Sequence, residues 1–156
     1  MNTLKITEAS EADAPLIYEI METAFAEYRD VLKPTPSVYA ETIDDVIAAM
    51  RKGGAVIAWL DDQPVGSARY EFHEDACCYI GRVSVLPQYR GQGAASAMME
   101  QIESLARWHG SSCLEIKVRM VLESNVHLYQ RLGYEITETF EHPKGGGLVG
   151  TMVKRL

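Results

Sequence analysis

A chain of 156 residues, 47% of them apolar, has room for one compact core, so one domain is expected and a second is not. Its 22 acidic and 15 basic residues give a formal net charge of −7, which disfavours nucleic acid and anionic membranes as partners, suits solubility, and is compatible with a cationic amine as substrate. No apolar run approaches the ~20 residues of a membrane span and no basic-then-apolar leader opens the chain, so a soluble cytoplasmic protein is expected. Cys77, Cys78 and Cys113 form no Cys-x-x-Cys pair and read as buried reduced thiols. His73, His109, His127 and His142 are scattered without ligand spacing, so no metal is expected.

In chain order, Leu4 to Thr7 reads as a short strand, and Ser10 with Asp13 three residues on is a variant of the helix-opening cap. Leu16, Ile17, Ile20, Met21, Ala24 and Phe25 recur at helical spacing, and this helix ends near Tyr28. Thr35 and Pro36 open a second helix, with Tyr39, Ile43, Val46, Ile47 and Met50 facing inward and Gly53-Gly54 closing it. Three strands follow, Ala55 to Leu60, Val65 to His73 and Cys77 to Leu86, with Asp61 to Pro64 as a hairpin turn. Ala94, Ala97, Met98, Ile102, Leu105 and Ala106 trace one face of a long helix that Gly110 terminates. Ser112 to Val118 is a strand with Leu114, Ile116 and Val118 on one side and Cys113, Glu115 and Lys117 on the other. A short helix then precedes two antiparallel strands, Tyr134 to Glu141 and Leu148 to Lys154; the Gly145-Gly-Gly147 run between them reads as a loop hinge.

Between the strand ending at Leu86 and the long helix stands Pro-Gln88-Tyr-Arg90-Gly91-Gln92-Gly93-Ala94-Ala95. Gly91 and Gly93 lack a Cβ, so the backbone can take positive φ and approach a ligand closely. The first N–H groups of the following helix have no intrahelical partner, and the helix dipole adds positive potential. A strand, a glycine turn and a helix in that order make an anion site suited to phosphate or pyrophosphate. No Lys-Ser or Lys-Thr follows the glycines, which excludes a Walker-type loop, and Ser96 stands where a dinucleotide fingerprint needs a third small residue. Arg90 adds a mobile cation beside the turn.

Gln88, Gly91 and Gly93 fill Gln/Arg-x-x-Gly-x-Gly/Ala, and Asn125, Tyr129, Gly133 and Tyr134 fill Asn-x-x-x-Tyr-x-x-x-Gly-Phe/Tyr. With both patterns in order, the chain resembles the GCN5-related N-acetyltransferase (GNAT) superfamily over essentially its whole length. Asn125 and Tyr129, at i and i+4, project from the same helix face, and Gly133 stops that helix. The resemblance implies an α/β fold, a mixed, splayed central sheet flanked by helices in the order β-α-α-β-β-β-α-β-α-β-β. It further implies acetyl-coenzyme A as co-substrate, its pyrophosphate on residues 88–95 and its pantetheine along the backbone of Val83, Ser84 and Val85. One amide of that strand would face the thioester carbonyl.

The implied reaction is direct attack of a primary amine, on a small molecule or peptide, upon the acetyl thioester. Tyr129 is the implied general acid for the departing thiolate, and Asn125 positions cofactor or tyrosine. Many relatives carry a carboxylate on the strand before the glycine turn, whereas this chain has Gly81-Arg82. Glu71, His73 or an ordered water chain are the candidates for the base. A catalytically silent acyl-coenzyme A binding or sensing module is the alternative, and a homodimer is allowed by either reading.

Overall fold

The computed structural model describes residues 3–28 and 41–156. Strand β1 (Leu4–Glu8) leads to helix α1 (Ala14–Phe25), then α2 (Ile43–Met50), β2 (Gly53–Leu60), β3 (Gln63–Phe72) and β4 (Cys77–Val85). Helix α3 (Ala94–His109), β5 (Cys113–Arg119), α4 (Glu123–Arg131), β6 (Glu135–Glu141) and β7 (Leu148–Arg155) complete the expected order. The seven strands form one sheet in the order β1-β2-β3-β4-β5-β7-β6, antiparallel throughout except for the parallel pair β4 and β5.

Local chemistry sets the helix ends. The Asp13 carboxylate accepts from the Ser10 N–H at 2.9 Å, and a short 3-10 turn feeds α1, whose buried face is Ala14, Ile17, Ile20, Met21 and Ala24. Helix α2 starts at Ile43, after a reciprocal cap in which Thr42 Oγ1 accepts from the Asp45 N–H (3.2 Å) and the Asp45 carboxylate accepts from the Thr42 N–H (2.9 Å). The start expected at Thr35 and Pro36, and Tyr39 with it, lies outside the described residues. Val46 and Met50 are buried as expected, but Ile43 in the first turn is exposed.

Gly53 and Gly54 do not close α2; they open β2, because the Tyr70 backbone and ring pack where their Cβ atoms would stand. Gly133 acts as expected: at φ +98° it allows the Tyr134 N–H to reach the Tyr129 carbonyl and its own N–H to reach that of Gln130, each at 3.0 Å.

The sheet at β2 is buried on both faces, which explains the apolar run there. Val56 and Ala58 join Met98, Ile102, Leu114 and Met152 on the α3 side, while Ala55 and Ile57 pack with Ile17, Met21 and Val46 under α1 and α2. Each fully buried Val, Ile, Leu or Met among them contributes about 1.5–3 kcal/mol relative to exposure. Cys77 and Cys113 are not reduced thiols. They are the opening pair of the β4–β5 register, 4.7 Å apart at Cα, and form a disulfide. Only Cys78 keeps a buried thiol, which desolvation pushes up to about 12.

Candidate active site

The β4–β5 ladder runs from Cys77 opposite Cys113 to Ile80 opposite Ile116, and then stops. The cause is visible on the other edge of β4. Arg69 of β3 pairs with Gly81 and Ser67 with Ser84, so Arg82 and Val83 stand opposite Ala68 alone. This is a β-bulge, with Arg82 in the left-handed region at φ +53°. A non-glycine residue there costs roughly 1–2 kcal/mol, which its side-chain contacts offset. Ser84 is buried, and its hydroxyl donates to the Arg82 carbonyl at 3.0 Å. Arg82 itself reaches Glu41 through Nε (2.9 Å) and Nη2 (2.7 Å), and Arg69 Nη2 reaches the same carboxylate oxygen at 2.8 Å.

Past the bulge the two parallel strands part around a cleft of about 540 Å³. Gly81, Arg82 and Val83 form one wall and Lys117, Val118 and Arg119 the other. Ile116, Phe25, Leu122, Asn125, Tyr129, Phe140, His142, Pro143 and Val149 complete the lining. A smaller recess of about 90 Å³, bounded by Val83 to Val85, Arg90, Ala95 and Tyr28, shares Phe25, Val83, Asn125 and Tyr129 with the cleft. Asn125 and Tyr129 therefore stand where the cleft meets the path toward the glycine turn. Asn125 lies inside the first turn of α4, after Leu122 as N-cap, and is not itself a cap. Tyr129 is 5% exposed, and burial, with the Tyr28 phenol adding to it, pushes its pKa far above the usual 10. Its ring meets that of Tyr134 edge-on at 6.2 Å.

The glycine turn has the geometry an anion site requires. Gly91 (φ +77°) and Gly93 (φ +89°) both lie in the left-handed region, and a Cβ at either would meet nothing within 4 Å. Gly93 is the N-cap of α3, and the first intrahelical bond is Ala97 N–H to the Gly93 carbonyl at 3.0 Å. Ala94 and Ala95 thus begin the helix with N–H groups that it cannot satisfy. Gln88, Gly91, Gln92 and Gly93 are exposed around the turn. The space and the donors fit a diphosphate, with the dipole of a 16-residue helix behind it.

Arg90 is not a mobile cation. Its guanidinium donates to the Val85 carbonyl (3.3 Å) and the Ala24 carbonyl (3.2 Å) and pairs with Glu27, so it ties the end of β4 to the last turn of α1. The charge is favourable there because carbonyls at a helix C-terminus carry partial negative charge. Glu71 is outside the cleft lining. Its Oε2 is 3.0 Å from His73 Nε2, beside a 180 Å³ depression that touches the cleft only through Gly81 and Arg82.

Two features escape the sequence patterns. The first is the Glu41–Arg69–Arg82 cluster, signalled only by an arginine inside the otherwise uncharged strand segment Gly66-Ser-Ala-Arg69-Tyr, where a buried cation demands a counter-ion. The second is the β6–β7 connection. Its three glycines all have positive φ, His142 N–H donates to the Gly147 carbonyl (2.9 Å), and the turn folds His142 and Pro143 over the cleft. The turn expected as a loop hinge thus forms part of the cleft wall. Among the described residues, no cluster of His, Cys, Asp and Glu could hold a metal, and no helix is long and apolar enough to cross a membrane.

Solved acetyltransferase structures share this fold. The ribosomal-protein-S18-alanine N-acetyltransferase from Escherichia coli superposes with a TM-score of 0.78 at 18% identity, covering 99% of this chain and 94% of that one. A Salmonella typhimurium acetyltransferase-like protein, solved with its cofactor acetyl-CoA, gives 0.79 at 16% identity, covering 98% and 94%. In sequence, an acetyltransferase from Yersinia pestis (strain Pestoides F) and one from Yersinia pseudotuberculosis are each 31% identical over 86 residues. Those alignments take in 54% of this chain and 59% of each relative, so the chain matches about six-tenths of the relatives' length. The model of the acetyltransferase (GNAT) family matches residues 17–134, from the first buried turn of α1 through the Schellman stop of α4, and thus spans both motifs and the splay between them. The chain belongs to the GNAT acetyltransferase family.

Proposed function

We propose that this protein is an acetyl-coenzyme A-dependent N-acetyltransferase whose acceptor is a primary amine on a small molecule or peptide. The observation that carries the reading is the continuity of the cleft with the recess leading toward the glycine turn, with Tyr129 and Asn125 at the junction. When bound, acetyl-coenzyme A supplies an activated acetyl thioester that a neutral amine can attack. The N–H groups of Gly93, Ala94 and Ala95 hold the diphosphate, with Gln88, Gly91 and Gln92 around it. The backbone of Val83, Ser84 and Val85, released from β5 by the splay, offers donors and acceptors to the pantetheine amides, and one donor faces the thioester oxygen.

Tyr129 stays protonated at neutral pH because its burial disfavours the phenolate, which suits a donor to a departing thiolate. Asn125, one turn earlier on the same helix face, orients the tyrosine or the cofactor. The Glu71–His73 pair lies beyond the bulge, so a proton from the amine would reach it through water. A cytoplasmic location, where acetyl-coenzyme A is available, goes with this reading.

The test is release of free thiol from acetyl-coenzyme A in the presence of a panel of amines, polyamines, amino acids and peptide N-termini. Amine-dependent release is the expected result. Tight coenzyme binding without release for any acceptor would favour the silent binding module.

A further inference from the structure

The chain is acidic, but the described lining of the cleft is not. Among the described residues its lining holds Arg82, Lys117, Arg119 and His142 and no aspartate or glutamate, although acidic residues outnumber basic ones 22 to 15 in the whole sequence. The Lys117 ammonium turns away from this space, 3.0 Å from Glu115 and 5.7 Å from the Tyr79 ring centre. Arg82 is shared with Glu41. Arg119 and His142 lie near one another on the cleft: Arg119 closes β5 opposite Val149, its neighbour Met120 donates to the Leu148 carbonyl at 3.0 Å, and His142 stands on the turn before β7, close enough to be affected by the Arg119 charge.

Both groups are set up to donate. A guanidinium has five N–H donors in a fixed fork whose geometry matches a carboxylate. Burial disfavours the charge on Arg119, which is the condition under which an anionic ligand gains most from it. His142 Nδ1 accepts from the Lys144 N–H at 3.1 Å, so the neutral ring carries its proton on Nε2. Burial, together with the nearby Arg119 and Lys144 charges, lowers its pKa, so the ring is neutral at physiological pH and can donate through Nε2. Phe25, Leu122, Phe140 and Val149 supply apolar wall to the same cleft.

From the proposed acetyl transfer in this same cleft, we infer that the acceptor is an amino carboxylate with an apolar side group, its carboxylate held by Arg119 and His142 and its amine directed toward Tyr129. The carboxylate takes no part in the chemistry. The N–C bond forms as the C–S bond breaks, the amine gives up one proton, and the thiolate takes one.

The experiment compares leucine and phenylalanine with their amides and with isoamylamine, phenethylamine and spermidine, in protein saturated with acetyl-coenzyme A. We expect kcat/KM to favour each carboxylate over its amide by about 10–100-fold, the range of one lost charge-assisted hydrogen bond. Arg119→Gln should erase that ratio, and Arg119→Lys should restore part of it. Calorimetry supplies a readout independent of turnover: with coenzyme A bound, N-acetylleucine should bind at least about 10-fold more tightly than N-acetylleucinamide, and Arg119→Gln or His142→Gln should abolish the difference. Should Arg119→Gln fail to fold, the His142→Gln arm carries the comparison. Equal use of amide and carboxylate, or preference for spermidine, overturns the inference while leaving the acetyltransferase standing. No turnover with a retained, Arg119-dependent preference for N-acetylleucine overturns the enzyme and keeps the pocket. Equal binding of the two N-acetyl compounds overturns the inference whatever the turnover.

Discussion

Tyr129 and Glu41 illustrate opposite ways in which burial sets the state of a titratable group. Burial keeps the Tyr129 phenol protonated. Tyr129→Phe preserves the ring and its contact with Tyr134 but deletes the proposed donor, so kcat should fall by about 10²–10⁴-fold while coenzyme affinity stays nearly constant, measured by steady-state kinetics beside calorimetry. A wild-type rate would make the residue structural. For Glu41, burial opposes ionisation, but the hydrogen bond from Arg69 and the charges of Arg82 and Arg69 overcome it and hold the carboxyl below its usual range. A carboxylate depressed in the folded state contributes stability that is complete above its unfolded pKa, about 4.3, and is lost as pH falls through the folded value. Glu41→Gln should therefore cost about 2–4 kcal/mol at pH 7 in urea melts. It should also flatten the decline of stability below about pH 4.3, and an unchanged acid limb would mean that the cluster carries no such linkage. Asn125 and Tyr129 were legible in the sequence because i and i+4 on a helix need no tertiary information. Glu41, Arg69 and Arg82 were not, since three separate segments meet there only once the sheet exists.

At the level of elements, periodicity located the helices and strands, while their ends depended on contacts. Thr42 with Asp45 is the same cap variant as Ser10 with Asp13, yet Thr35-Pro36 was the stronger local signal for a helix start. Gly53-Gly54 imitated a helix stop because nothing in their own segment announces Tyr70 on the neighbouring strand. Pairing of Cys77 with Cys113 needs the parallel register, which joins strands 36 residues apart. The glycine turn, by contrast, is local and was read with its glycines in place. Gly91→Val or Gly93→Val would force a β-branched residue to a positive φ in open space. The protein should still fold, by circular dichroism, but bind acetyl-coenzyme A at least about 10-fold more weakly by calorimetry, the equivalent of ~1.4 kcal/mol. Retained affinity in a folded Gly91→Val variant would remove the turn from the site.

For the molecule as a whole, the proposed ligand would span structure contributed by α1, β4, α3, β5, α4 and the β6–β7 hairpin, so its binding should register in global stability. At 100 times Kd, binding to the native state alone adds about 2.7 kcal/mol, and a domain of this size gains ~2–4 °C per kcal/mol. Melting should thus rise by roughly 5–10 °C with acetyl-coenzyme A and by much less with ATP or NAD. An equal shift with ATP would refute the pantetheine part of the site. Net charge is the property that misleads at this scale: the acidic total describes the outer surface, whereas the described cleft lining has the opposite sign.

The bulge at Arg82 and Val83 has an evolutionary corollary. If the groups that greet the coenzyme are main-chain amides freed by an interrupted ladder, then recognition there is written in peptide bonds, which every residue other than proline supplies in full. Drift among apolar side chains at Val83 and Val85 would leave it untouched. A one-residue deletion that let β4 run straight beside β5 would seal the opening without altering a single motif residue. Relatives could therefore diverge widely along this strand and keep the cofactor, so long as its length and its break are inherited together.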